Sequence, residues 1–250
     1  MENRGNQHAS DIVIDLDGCI VEIALPDIEL LGGVILLHDR ADVSNSVRHQ
    51  FRQPLHDAGL AMISMSGAAG WWLDVVTPGF HPTLSPVRFV LETLLACVEE
   101  KTALTPPRIA LLGIGSGGQG GVGIAYRNAR RFPVMAVIGP DVDFHQWYGH
   151  GSLIDQVYSS REAARQQTAT LHLHPLNWPM HQLILCDPAD PIAFEGTERL
   201  LSKLRSTGIP VDSDLKTTTG GNMPQYIEQA IPRVVEFLKV SLSRIGTPAI

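Results

Sequence analysis

Six glycines fall within the nine residues Gly113 to Gly121, in the run RIALLGIGSGGQGGVGIAYRNARR from Arg108 to Arg131. Glycines crowded this closely let the backbone take positive φ angles or let another backbone or a ligand come very near. Two chemistries use such a turn. Gly113, Gly115 and Gly118 spell Gly-x-Gly-x-x-Gly, the dinucleotide fingerprint. A strand, a sharp glycine turn and a helix also form the elbow that presents a nucleophile, normally written Gly-x-Ser-x-Gly. Other reactive types are scattered along the chain. Asp187 and Asp190 close an apolar run, His172 and His174 are two residues apart, and Asp15 and Asp17 make an Asp-x-Asp-Gly turn after another apolar run.

The elements needed to position these residues are legible in outline. Asp11 to Leu25 reads as two strands joined at Asp17-Gly18, which makes a hairpin the favoured reading of that Asp pair over a phosphatase motif. Gly33 to His38, Leu60 to Met65, Ile109 to Ile114, Val134 to Ile138 and Leu183 to Cys186 are short continuous apolar runs, the pattern of strands buried on both faces. Val211 to Leu215 alternates as an edge strand. Helices are predicted from Asn45 to His56, from Ser85-Pro86 onward with Ser85 as cap, from Thr197 to Ser206 and from Pro224 to Leu242. Strands alternating with helices predict an α/β chain, with a mostly parallel sheet of about eight strands and helices on both faces.

Composition bounds the rest. A chain of 250 residues, 44% hydrophobic and 18% charged, is long enough for one α/β domain, read here as 1–250, with 139–181 as a cap-like insertion. A formal charge of -7 without any basic cluster argues against nucleic acid or an anionic membrane as partner. Cys19, Cys97 and Cys186 are far apart and odd in number, which predicts reduced thiols and a cytoplasmic setting. The start MENRGNQHAS is polar, and no apolar run approaches the roughly 20 residues of a membrane span.

Order along the chain chooses between the two glycine chemistries. A dinucleotide fingerprint belongs to the first strand of its unit, whereas Ile109 to Ile114 is about the fifth strand here; Asp141, after the next strand, is where a ribose would be held in that alternative. Taken together, VILLHD, RIALLGIGSGGQGG, FPVMAVIGPDVD, HQLILCDPADP and KTTTGGNMPQYIEQAIPRVVEFL resemble, in this order, the motifs of α/β-hydrolase esterases of the esterase D or S-formylglutathione hydrolase type. The resemblance covers roughly Gly33 to Leu242. It implies the α/β-hydrolase fold, with an oxyanion amide from Arg40 after a strand that in the family ends in His-Gly. It further implies a nucleophile at the elbow, an acid at Asp190 with Asp187 as second candidate, and a base in the Gly220-Gly221 loop.

The residues at those positions do not fit the reaction. Aligning Gly113, Gly117 and Gly118 with Gly-x-Ser-x-Gly-Gly leaves Gly115 at the nucleophile position. Ser116 comes one residue late, where it offers an oxyanion amide or serves as an alternative nucleophile. The base position holds Asn222, and none of the ten histidines lies after His181. An amide does not accept a proton at neutral pH, so Asn222 cannot be a general base. The expectation is therefore an esterase-like protein with a degenerate triad, catalytically silent, that binds a small acyl or ester-like ligand or a partner. No cofactor and no metal are expected, and a homo-oligomer stays open.

Two alternatives follow from the same residues. One is an active serine carboxylic-ester hydrolase that uses Ser116 with Asp190 and a histidine relocated from the His- and Trp-rich stretch 145–181. The other is a dinucleotide-binding protein using Gly113 to Gly118. His172-x-His174, if on a strand, would put two imidazoles on one face as a metal pair lacking a third ligand.

Overall fold

Period-2 alternation along the central strands divides the core in two. The computed structural model describes residues 11–40, 46–66 and 70–245. Its eight strands are β1 Asp11–Leu16, β2 Cys19–Ala24, β3 Gly32–Leu37, β4 Leu60–Ser66, β5 Ile109–Ile114, β6 Val134–Ile138, β7 His181–Leu185 and β8 Asp212–Asp214. They form one sheet in the order β1-β2-β4-β3-β5-β6-β7-β8. The hairpin β1–β2 and the pair β2–β4 are antiparallel; every pairing from β4 to β8 is parallel. Successive side chains in a strand point to opposite faces. Ile35, Leu37, Leu111, Met135 and Val137 therefore face one layer, with Val122 and Tyr126 of the helix Ser116–Arg127 and Leu200 and Leu204 of the helix Phe194–Ser206. Val34, Leu36, Ala110, Leu112, Ala136 and Ile138 face the other, against Phe51 and Leu55 of the helix Ser46–Asp57 and Val234 and Leu238 of the helix Met223–Ile245. A fully buried Phe or Leu at such positions contributes about 1.5–3 kcal/mol relative to exposure.

The expected strands and helices are present, with shifts of one to three residues at their ends. The predicted helix start at Asn45 lies outside the described residues. Asp17 and Gly18 take φ of 53° and 88°, and the Gly18 N–H donates to Asp15 at 2.7 Å, so the Asp-x-Asp-Gly motif is a hairpin turn with its first carboxylate engaged. Ser85 caps the next helix through the Arg88 N–H, with Pro86 at its first position, as its sequence predicts. That helix then widens into a π-helical stretch, Phe89–Leu94, before resuming as Leu95–Thr102.

Between β6 and β7 lie short helical turns, Phe144–Trp147, Leu153–Val157, Arg161–Arg165 and Ala169–Leu171. They share a small core of their own, in which Phe144, Ile154 and Ala164 pack on Trp71 and Leu73 from the loop after β4. His172 and His174 are not on a strand. His172 ends the turn Ala169–Leu171, and its Nε2 meets the Gln166 carbonyl at 2.9 Å. The Nδ1 of His174 accepts from the Leu176 N–H at 3.1 Å, and the two rings are used locally rather than paired on one face. The break comes from Pro175, which cannot donate to a ladder. All three cysteines are free and buried, and burial pushes the Cys186 thiol up to about 12. No helix among the described residues is long and apolar enough to cross a membrane.

Candidate functional site

The site lies at the carboxyl ends of the parallel strands, where an open α/β sheet places its ligands. β5 ends at Ile114, Gly115 turns with φ 55° and ψ −118°, and the helix begins at Ser116. The Gly115 N–H donates to the Ile138 carbonyl at 3.0 Å, while its own carbonyl accepts from the Gln119 and Asp141 N–H groups, each at 3.1 Å. The helix start packs directly against the end of β3: a Cβ on Gly117 would sit 1.9 Å from the Leu37 carbonyl oxygen. Glycine at 117 is thus dictated by backbone contact within the protein. The turn is the strand-elbow-helix of the second chemistry, and the space its glycines leave is filled by neighbouring chain.

The elbow tip is occupied by Asp39. A Cβ on Gly115 would lie 2.6 Å from Asp39 Oδ1 and 2.7 Å from Asp39 Cγ. That same Oδ1 accepts from the Ser116 N–H at 3.0 Å and from the Ser116 hydroxyl at 2.9 Å. The Ser116 Oγ in turn accepts from the Arg40 N–H at 2.7 Å. Both backbone amides expected to form the oxyanion hole are therefore hydrogen-bonded inside the protein. Ser116 is fully buried. Among the described residues no histidine hydrogen-bonds Ser116 or Asp190; His38, which precedes Asp39, turns Nδ1 to the Asp39 carbonyl at 2.9 Å and sets its ring edge-on to Trp72.

The Arg40 side chain runs the other way. Its guanidinium sits over the rings of both Trp71 and Trp147, 4.5 and 4.4 Å from their centroids, and donates to Asp141 at 3.0 Å. Stacking on two indoles and an ion pair with a nearly buried carboxylate fix it firmly. Burial pushes the Asp141 carboxyl up to about 7, against the pull of Arg40 and with further upward push from Asp39 and Asp190. Beside this group opens a cleft of about 260 Å³, lined by Asp141, Phe144, Trp147, His150, Pro191 and Ile192 among others.

The acid and base positions are engaged by structure. Asp187, just after β7, accepts from the Thr218 hydroxyl at 2.6 Å, the Ala189 N–H at 2.8 Å, the Thr219 N–H and hydroxyl at 2.8 and 2.9 Å, and the Gly221 N–H at 3.1 Å. Burial opposes its ionisation, but these donors, led by Thr218, outweigh it and hold the carboxyl well below the usual range. Asp187 thereby shapes the loop that carries Asn222. Asp190 accepts from the Ile192 and Ala193 N–H groups at 2.8 and 2.9 Å, capping the turn into the helix Phe194–Ser206. Its other oxygen lies 3.5 Å from the point where a Cβ on Gly139 would stand. Asn222 accepts from the Gln225 N–H at 3.2 Å and so caps the helix Met223–Ile245.

The structure thus brings Gly115, Ser116 and Arg40 together, and adds Asp39, which the sequence did not mark for this site, and Asp141, which it marked only as a ribose holder in the dinucleotide alternative. The signal for Asp39 is visible in VILLHDR, since the family strand ends in His-Gly and this one ends in His-Asp. Asp141 carries no such mark; its role depends on Arg40, remote in sequence.

No family model and no curated protein matches the chain. Solved structures do. An S-formylglutathione hydrolase from Agrobacterium tumefaciens superposes with a TM-score of 0.72 at 16% identity, covering 93% of this chain and 98% of that one. The fluorophosphonate-binding serine hydrolase FphF of Staphylococcus aureus gives 0.69 at 15% identity, over 90% and 98% of the two chains. Mycobacterium tuberculosis MPT51 gives 0.71 at 14%, over 94% and 98%. Sheet order, elbow and neighbours agree: the chain has the α/β-hydrolase fold shared with S-formylglutathione hydrolases, esterases and serine hydrolases.

Proposed function

We propose that this protein is an esterase-like member of the α/β-hydrolase fold that does not hydrolyse esters and instead binds a small acyl- or ester-like ligand in the cleft beside Trp147 and Ile192. The observation that carries the reading is the Asp39 carboxylate at the elbow tip, where it takes up both the space of a nucleophilic side chain and the Ser116 amide. Nucleophile, base and oxyanion stabilisation are the three contributions of a serine hydrolase site. Gly115 supplies no nucleophile, Asn222 supplies no base and caps a helix, and the amides of Arg40 and Ser116 already have acceptors. A cleft walled by Phe144, Trp147, Pro191 and Ile192 on the apolar side and by Asp141, Asp143, Gln146 and His150 on the polar side remains beside them, which supports a binding role.

A fluorophosphonate probe on the purified protein tests this reading. No stoichiometric labelling is expected; labelling of Ser116 would overturn it. The alternative of Ser116 acting with Asp190 and a relocated histidine predicts hydrolysis of a short-chain nitrophenyl ester that is lost in Ser116→Ala. The full burial of Ser116 and its two internal bonds support the silent reading over that one. The dinucleotide alternative predicts a thermal shift with millimolar NAD. None is expected, because Leu37, Asp39 and Pro140 fill the space around the glycine turn that a pyrophosphate would need.

A further inference from the structure

His145 is a titratable group that the cleft beside Trp147 leaves unused. Its Nδ1 is buried with no hydrogen-bond partner, and its Nε2 makes none among the described residues. A buried donor is orphaned more rarely than a buried acceptor, which assigns the ring proton to Nε2 and makes it an unused N–H. The ring lines a cavity of about 320 Å³ with Arg165, Thr170, Leu171 and Arg199, and shares Asp143 and Gln146 with the cleft. That volume lies at the lower end of small-molecule sites, roughly 300–1,000 Å³.

The wall is assembled from elements remote in sequence. Arg165 ends the helix Arg161–Arg165, Thr170 and Leu171 belong to the turn Ala169–Leu171, and Arg199 comes from the helix Phe194–Ser206. Lys203, one turn after Arg199, donates to the Thr170 carbonyl and ties that turn to the helix. Arg165 gives Nε and Nη2 to Glu162 at 2.7 and 2.8 Å, and its Nη1 makes no hydrogen bond among the described residues. Arg199 gives Nε at 2.9 Å and Nη2 to Asp143, while its Nη1 meets only the exposed Glu195 at 3.5 Å.

Around this cavity Arg161, Arg165, Arg199 and Lys203 stand against Asp143, Glu162 and Glu195, a local excess of cations in a chain whose formal charge is -7. Burial holds the His145 imidazole below its ordinary pKa against the pull of Asp143, and the three guanidiniums lower it further. An anion in the cavity offsets that repulsion. We propose that this cavity binds a dianionic phosphate group, free or as a small monoester, with Nη1 of Arg165, Nη1 of Arg199 and Nε2 of His145 as donors. Guanidiniums match phosphate oxygens in geometry and charge, and donors from three elements suit a group with several strong acceptor oxygens. The exposed Leu171 gives an organic substituent on the phosphate an apolar wall. Neither Gly115, Ser116 nor Asn222 lines the cavity, so the inference holds or fails independently of ester hydrolysis at the elbow.

The test is isothermal titration of the full chain with phenyl phosphate, inorganic phosphate and phenyl sulfate at low salt, at a pH above the second phosphate pKa of about 6. Saturable binding of either phosphate is expected, the tighter of the two showing whether the group arrives as an ester or free, and the monoanionic sulfate should bind more weakly. Arg199→Gln and His145→Ala should each weaken phosphate binding roughly tenfold. Arg88→Gln removes the same charge from an exposed pair with Glu92 that does not line the cavity, and should leave binding unchanged. Circular dichroism of each variant verifies folding, and Arg165→Gln, whose pair with Glu162 is exposed, replaces Arg199→Gln if that variant does not fold. No saturable binding of either phosphate at millimolar concentration would overturn the inference. So would equal binding of phenyl sulfate, undiminished binding in the cavity variants, or an equal loss in Arg88→Gln.

Discussion

A side chain at position 115 has to share its space with the Asp39 carboxylate. Gly115→Ser would place a Cβ 2.6 Å from Asp39 Oδ1 on a backbone with φ of 55°, so both steric overlap and left-handed strain oppose it. The variant is expected to lose about 2–4 kcal/mol, measured by denaturant unfolding. Because much of that loss is contact with one neighbour, adding Asp39→Gly should recover part of it. A double-mutant cycle should give a coupling of at least about 1 kcal/mol, and strict additivity would show that the two positions do not compete for one volume. Placing Ser at 115 in this way leaves Asn222 in place, so the proposed function predicts no turnover of short-chain esters by the double variant.

At the scale of elements, Asp187 and Asn222 act on the loop between β8 and the closing helix. Asn222→Ala removes the cap of the helix Met223–Ile245 and should cost about 1 kcal/mol, or roughly 2–4 °C in Tm for a chain of this size. Asp187→Asn replaces an ionised acceptor that serves the Thr218 hydroxyl, the Thr219 hydroxyl and three amides, and should cost about 2–4 kcal/mol. Equal, small effects of the two substitutions would count against Asp187 as the organiser of this loop. Asn222→His should leave ester hydrolysis absent, since no nucleophile stands at Gly115 to be activated.

For the molecule as a whole, two carboxylates set opposite pH dependences. Asp187 has a folded-state pKa below its unfolded value of about 4, so its contribution is fully present above pH 4 and is lost as pH falls through the folded pKa. Asp141 is raised to about 7, so between about pH 4 and 7 this carboxyl binds more protons in the folded protein than in the unfolded chain. Stability from this group therefore falls as pH rises through that window and levels off above it. Burial lowers the pKa values of His145 and His181, whose contributions rise with pH over part of the same range, so the Asp141 decline, on the order of a few kcal/mol, should appear as the difference between wild type and Asp141→Asn in chemical denaturation from pH 4 to 8. A profile unchanged by Asp141→Asn would remove Asp141 as its source.

How much of this is legible in sequence differs by kind of information. Hydrophobic period and turn chemistry are local, so the strands from Gly33 to Cys186, the Asp17-Gly18 hairpin and the Ser85 cap can be read directly, and the order of motifs yields the fold. That Gly115 has no hydroxyl and Asn222 no base can be read as well, whatever surrounds them. The uses to which the remaining groups are put depend on neighbours far away in the chain. Asp39 reaches the elbow because β3 pairs with β5 in parallel register and the Gly117 backbone packs on Leu37. Arg40 meets Asp141 because the segment after β6 and the loop after β4 fold together around Trp71 and Phe144. Sequence alone determined the fold, and that residue 115 carries no hydroxyl and residue 222 no basic group, since both follow from residue identity and short-range pattern. Only the tertiary structure decided that Asp39 lies over Gly115, because a carboxylate finds its donors by distance, and distance between remote residues is set by packing.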